Sequence, residues 1–383
     1  VTVDIALLQR LGLTLNATVP LPRKKKNVCQ LTTRDFLISA LLKVRSKARG
    51  LLALNLNRAQ REFSRTSTNR NIVLKARQMG ITTYVAARFF VQTITRPGTM
   101  TVQVAHDQES AEEIFKIVHR FWENLPETMK RGALLRSRAN VRQMVFPRLD
   151  CEYRVATAAD VNAGRGLTIH NLHCSEVARW LREPGEALAS LRAAVPVDGE
   201  IVLESTPNGA GGVFYEEWQR ARETGYAQHF FPWWYDDEYR DKTGMVTVAP
   251  LTDEEKELVG RAGLSDAQIA WRRTNRAQLR ELAAQEYAED PVSCFRASGE
   301  CIFELEAIER ALEAQGKATQ TRENGKLTIW FEARYDRQYV VGADPAGGGS
   351  EGDYACAQVI DRQTGMQCAE LHGHYSPREL AMK

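Results

Sequence analysis

No run in this 383-residue chain approaches the roughly 18 apolar residues of a membrane-spanning helix. The opening VTVDIALLQRLG is too mixed for a secretory signal. Cysteine is present without pattern: seven residues, at 29, 151, 174, 294, 301, 356 and 368, with no C-x-x-C pair. An odd, scattered set argues against a disulfide framework or a zinc knuckle and fits a reducing cytosol. No internal repeat is visible, which argues against solenoids and propellers. Neither sign of charge dominates, since 51 Lys and Arg face 48 Asp and Glu for a net charge of +3. That balance is compatible with a nucleic-acid partner without pointing to one. What remains is ordinary globular composition, 43% hydrophobic and 26% charged, long enough for two or three domains. The chain opens at Val1 and closes on RELAMK as though in mid-element, as a fragment would.

Periodicity divides the chain into four parts. Residues 1–55 read as a mostly helical lead-in interrupted by the basic loop VPLPRKKKN. Over 56–235, strands and helices alternate: NIVLKA, MTVQVAH, LTIHNLHCSE and EIVLEST read as strands, and TTYVAARFFVQTI as an amphipathic helix. DQESAEEIFKIVHRFWENL reads as a helix capped by Asp107. Such alternation predicts a mainly parallel α/β sheet with helices on both faces and ligands at the strands' carboxyl ends. Residues 236–326 are charged and helical and read as a linker subdomain. Residues 327–383 return to strands (KLTIWFEA, QYVVGADPAGG, YACAQVID, QCAELHGHY) and begin a second α/β domain.

Four places could carry chemistry. The first is KARQMGITT, at the end of the NIVLKA strand. A phosphate loop reads G-x-x-x-x-G-K-[ST] and supplies backbone N–H groups, a close-approaching glycine, a cation and a hydroxyl for Mg²⁺. Gly80 and Thr82 fit, and Thr83 adds a second hydroxyl. Lys75 replaces the first glycine and Ile81 the lysine, so the charge must come from Lys75 or Arg77. Alone, this stretch is more often an ordinary strand and helix. Gln60, just upstream, stands where many translocating ATPases place an adenine-reading amide. Alone, it reads as a surface helix residue.

The second place is LHCSE. Its usual form ends in Asp for Mg²⁺ and Glu to activate water; here Ser175 replaces the Asp and Glu176 remains. His170 and His173 read as packing or hydrogen-bonded residues on opposite strand faces, not as metal ligands. The third is STPNG, which puts Ser205, Thr206 and Asn208 at a strand end, either as sensors of hydrolysis or as a plain turn. The fourth is GADPAGGGSEGDYA, with Asp344 and Asp353 on successive strands. Two such carboxylates suit Mg²⁺ or Mn²⁺, and the same pattern serves a glycine-rich hairpin.

Taken in order, these motifs resemble the large terminase subunit of tailed bacteriophages, the DNA-packaging motor. The resemblance rests on Gln60, KARQMGITT, LHCSE, STPNG, FFPWWYDDEY, EDPVSCFRASGECIF and GADPAGG…GDYA, and spans almost the whole chain. It implies a P-loop ATPase of the additional-strand (ASCE) type, the helical linker, and the start of an RNase H-like nuclease. It implies ATP binding by Gln60, Lys75, Ala76, Arg77, Gln78, Gly80, Ile81, Thr82 and Thr83, with the lysine displaced to 75. Glu176 would activate water, Arg77 would act in cis, and Arg165 would be an arginine finger for the neighbouring subunit. Ser205, Thr206 and Asn208 would couple hydrolysis to motion. Magnesium would meet Thr82 and Ser175 in the ATPase; magnesium or manganese would meet Asp344 and Asp353 in the nuclease. Implied partners are double-stranded DNA, a portal protein, a small terminase subunit and further copies in a ring, expected as a pentamer. The implied location is the host cytoplasm and, transiently, the procapsid. Two departures stand out: Ser175 weakens direct Mg²⁺ ligation, and the nuclease's later carboxylates would lie beyond Lys383, so no competent nuclease is expected of these residues alone. A helicase-like remodelling ATPase and a degenerate P-loop that binds without hydrolysing are the rival readings.

Overall fold

The computed structural model describes residues 32–46, 50–139, 142–160, 166–181, 183–245, 247–280, 282–296, 316–347 and 353–383. The chain divides into two units, Val1–Glu300 and Cys301–Lys383.

The first unit opens with helix α1 (Thr33–Leu41) and a hairpin of β1 (Lys43–Arg45) and β2 (Leu51–Ala53). This hairpin lies where the sequence reads as mainly helical; Val44 favours a strand, and Gly50 enters β2 at a φ of 86°. Helix α2 (Arg58–Thr66) then leads into β3 (Arg70–Lys75), α3 (Ile81–Thr95), β4 (Met100–Ala105) and α4 (Gln108–Glu123). Asp107 caps α4 by accepting from the Ser110 N–H at 2.7 Å. After α5 (Glu127–Arg131) come β5 (Arg138–Ala139), β6 (Gln143–Phe146), β7 (Cys151–Thr157) and β8 (Asn171–Ser175). Helix α6 (Pro184–Ala193), β9 (Glu200–Ser205), α7 (Gly212–Gln219) and β10 (Ala227–Phe231) complete the sheet region.

The eight strands lie in the order β10-β3-β9-β8-β4-β7-β6-β5. All pairings from β10 to β7 are parallel, and only β6 and β5 run against their neighbours. Side chains alternate between two apolar layers. Val73 and Val202 join the core with α1, α3 and α4, and Ile72, Leu74, Leu172, Ile201 and Leu203 join the core with α6 and α7. Strand β9 lies between the loop-bearing strand β3 and β8, so the sheet has the additional strand of an ASCE-type P-loop fold.

Helices α8 (Asp253–Ala262), α9 (Asp266–Leu279), α10 (Leu282–Glu286) and α11 (Ser293–Arg296) close the first unit. Buried Arg272 ties them together, donating to Glu289 at 2.7 and 2.9 Å and to Glu254 at 2.5 Å. Trp233 Nε1 also donates to Glu289, at 3.1 Å. No helix among the described residues is long and apolar enough to cross a membrane.

The second unit is an antiparallel five-stranded sheet in the order β11-β12-β15-β14-β13. Its strands are β11 (Gln320–Arg322), β12 (Leu327–Ile329), β13 (Tyr339–Asp344), β14 (Ala355–Asp361) and β15 (Gln367–Gly373), followed by α12 (Pro377–Met382). Because β11 pairs with β12, strand structure here starts before residue 327, where the sequence pattern changes.

Candidate active site

The chain leaves β3 at Lys75 and turns through residues 76–80 into α3. Gln78 and Gly80 take positive φ values of 56° and 73°. A side chain at Gly80 is disfavoured by that φ and by space, since a Cβ would lie 2.8 Å from Gln60 Nε2. No side chain caps α3. Its first-turn N–H groups are thus not taken by a capping side chain, the condition for an anion site at a helix N-terminus. Ile81, at the usual lysine position, is buried in the core cluster that holds Met79 and Tyr84. Thr83 is half-buried in the same turn. The loop is fastened from outside: Ala76 N–H donates to the Phe231 carbonyl, Arg77 N–H to the Glu286 carbonyl, and Tyr239 OH to the Arg77 carbonyl at 2.7 Å.

Lys75 reaches inward beneath this loop. Its Nζ lies 2.7 Å from Glu176 Oε1 and 3.1 Å from Glu204 Oε2, and the side chain is buried. Burial alone would lower its pKa; Glu176 and Glu204 outweigh burial and hold it above the ordinary lysine value. Arg77 points away, its side chain 58% exposed, and pairs with Glu286 of α10 at 3.3 Å. Of the two cations, only Lys75 is placed under the loop.

Glu176 follows β8 with a φ of 51°, a left-handed position that turns its carboxylate back over the strand ends. Its Oε2 accepts from Ser205 Oγ at 3.4 Å and from the Thr206 N–H and Oγ1 at 3.3 Å each. Asn208 Nδ2 donates to the Ala178 carbonyl at 3.0 Å, and its Oδ1 accepts from Gln285 Nε2 of α10 at 3.5 Å. The STPNG turn thus links the Glu176 turn to the helical segment. Gln60 belongs to a capping box with Asn57, and its Nε2 donates to the Gly80 carbonyl at 2.8 Å. Arg165 lies outside the described residues.

Three residues at this site carry no motif signal of their own. Arg179 lies 3.2 Å from Glu286 and 4.0 Å from Glu176. Glu286 thereby bridges Arg77 and Arg179. The third is Glu204, fully buried on β9, whose Oε1 accepts from Thr82 Oγ1 and Ser175 Oγ at 2.7 Å each. The signal was available: a charged residue near the end of the apolar run IVLEST has to be paired if buried. Behind it, His173 Nε2 lies 3.4 Å away. His173 Nδ1 bonds Gln103, whose Oε1 accepts from Tyr153 OH. His170 Nδ1 accepts from the Met100 N–H instead.

Among solved structures, the large terminase of bacteriophage HK97 superposes with a TM-score of 0.53. The fold is that of a phage large terminase. The HK97 match covers 88% of this chain and 67% of that chain at 12% identity, so the likeness is one of fold. The large terminase ATPase domain of Thermus phage P74-26 matches with a TM-score of 0.40, 17% identity, and 61% and 92% coverage of this chain and that one. No family model matches the chain, and no curated protein does. In the second unit of this terminase fold, Asp344 ends β13 opposite Cys356, and Asp353 precedes β14. Both are exposed, and among the described residues neither side-chain carboxylate has a hydrogen bond or ion pair. No group of three or more His, Cys, Asp or Glu is placed to hold a metal among the described residues.

Proposed function

We propose that the first unit hydrolyses ATP and that this hydrolysis drives double-stranded DNA. The observation that carries the reading is the meeting of an uncapped helix N-terminus, Lys75, Thr82 and Glu176 at the carboxyl end of one parallel sheet. The phosphates would lie on the α3 N-terminus, where backbone N–H groups and the helix dipole favour anions. Lys75 would exchange its carboxylate partners for the β- and γ-phosphates. That exchange would free Glu176 Oε1 to take a proton from the attacking water, as a general base. Ser205 and Thr206 hold the other oxygen of Glu176, so the carboxylate stays aimed when the lysine leaves. Asn208 would pass the change to Gln285 and so to the helical segment. The oxygens of Thr82, Ser175 and Glu204 form a donor set suited to a hard cation, and Glu204 Oε2 has no aligned hydrogen-bond partner. Magnesium bound with ATP would neutralise charge developing on the phosphates.

On this reading the chain is part of a genome-packaging motor. Copies would assemble as a ring, with a pentamer expected, on a portal protein, aided by a small terminase subunit, in the host cytoplasm. An arginine finger from a neighbouring copy is assigned to Arg165. Asp344 and Asp353 would be the first ligands of a Mg²⁺- or Mn²⁺-dependent nuclease. DNA would be held through its phosphates and released by salt. The test is DNA-stimulated ATPase activity in wild type, Lys75→Ala and Arg77→Ala. Wild type should hydrolyse ATP, and Lys75→Ala should lose about 10²-fold or more, the scale of losing one preorganised charge contact. Absence of hydrolysis in assembled wild type would favour the non-hydrolysing P-loop reading; normal hydrolysis by Lys75→Ala would refute the displaced lysine.

A further inference from the structure

In P-loop NTPases the metal that accompanies the nucleotide is held by the loop's Ser or Thr together with an aspartate at the end of a nearby strand. Here that strand, β8, ends in Ser175. On the adjacent parallel strand, Glu204 stands in direct register with Ser175. Its side chain is completely buried. Oε1 accepts from the loop hydroxyl of Thr82 and from Ser175, at 2.7 Å each. Oε2 faces Lys75 Nζ at 3.1 Å without an aligned hydrogen bond.

We propose that Glu204 does the work of the missing aspartate: it is the carboxylate that, with Thr82, serves the divalent ion bound with nucleotide. The inference rests on reading this site as a nucleotide site. The carboxylate has moved one strand sideways, from β8 to β9. Serine at 175 is small enough to leave it room and adds a hydroxyl that orients it. The longer side chain of glutamate offsets the change of strand. Behind the carboxylate, Tyr153 OH donates to Gln103 Oε1, and Gln103 Nε2 donates to His173 Nδ1. That chain leaves the proton of His173 on Nε2, facing Glu204 at 3.4 Å. Side chains from four strands thus position one carboxylate beside the loop threonine.

A carboxylate placed there only to neutralise Lys75 predicts something different. Lys75 meets phosphate with or without metal, so loss of a neutraliser would change nucleotide affinity equally in both conditions. Loss of a metal-serving carboxylate would weaken it only with metal present. The experiment titrates a non-hydrolysable ATP analogue against wild type, Glu204→Gln and the exchange variant Ser175→Asp/Glu204→Ser, in EDTA and over a range of Mg²⁺. Glu204→Gln should need about 10–100-fold more Mg²⁺ for half-maximal binding, the usual effect of losing a metal site's supporting partner. Its affinity in EDTA should stay at or above that of wild type. The exchange variant returns a carboxylate to β8 and should recover the wild-type Mg²⁺ requirement to within about tenfold. The exchange variant also decides the case if Glu204→Gln does not fold. Equal loss of affinity with and without Mg²⁺ in Glu204→Gln would overturn the proposal, as would a folded exchange variant that ignores Mg²⁺. A wild type that binds no analogue in either condition would instead remove the nucleotide-site reading beneath it.

Discussion

The carboxylates at the ends of β8 and β9 and those around β13 are held in opposite ways. Glu176 is gripped by Lys75, Ser205 and Thr206, and Glu204 by Lys75, Thr82 and Ser175. Asp344 and Asp353 are exposed and, among the described residues, unpaired. The sheets differ in the same sense. Strand β3 is buried from Asn71 to Lys75, whereas β13 exposes Val340 and Val341 by 51% and 62%. A buried charge is tolerated only where partners satisfy it, so the first site is ordered before any ligand arrives. An exposed carboxylate keeps its hydration and costs nothing to leave without a partner. The burial of Lys75 and Glu204 as an ion pair makes the point: burial raises the Glu204 pKa, and Lys75 with His173 reverses this and keeps it ionised.

The largest expected effect breaks the comparison at Glu176. Glu176→Gln keeps the shape of the side chain and removes the proposed base, and ATPase turnover should fall by about 10²–10⁴-fold. Steady-state hydrolysis at saturating ATP measures it, and a smaller loss would mean that water is activated elsewhere.

Next is the acid sensitivity contributed by one buried histidine of the first unit. Burial lowers the pKa of His229 on β10 from 6.5 to about 4. The folded form keeps this residue neutral, and the unfolded chain takes up the proton first. The contribution of His229 to stability is therefore complete above about pH 6.5 and is lost as pH falls towards 4, by at most about 3 kcal/mol. Urea midpoints of wild type and His229→Gln at pH 7 and 4.5 check it: the variant should show the shallower decline. The smallest effect is expected in the second unit, where Asp344→Ala should shift stability by no more than about 0.5 kcal/mol in a thermal melt. A larger loss would mean that Asp344 is held as tightly as the carboxylates of the first unit.

Much of the first unit was legible in the sequence because its signals are local. The apolar runs NIVLKA, MTVQVAH and EIVLEST are strands, Asp107 is a helix cap, and the glycine at 80 marks the loop. The fold class followed from the alternation of those elements. Pairing across the sheet was not legible, since it depends on strand order. With β9 lying between β3 and β8, Glu204 comes beside both Lys75 and Ser175. Read in one dimension, Ser175 was only a missing aspartate, and Glu204 was only the residue before STPNG. Likewise Glu286, 209 positions from Arg77, joins the site through α10, a five-residue helix (LAAQE) with no motif to tie it to the loop.

The most direct test of the account is a crystal structure with a non-hydrolysable ATP analogue and Mg²⁺. The account predicts the Lys75 ammonium within hydrogen-bond distance of the β- or γ-phosphate and no longer on Glu176. Phosphates met by Arg77, with Lys75 still between Glu176 and Glu204, would contradict it.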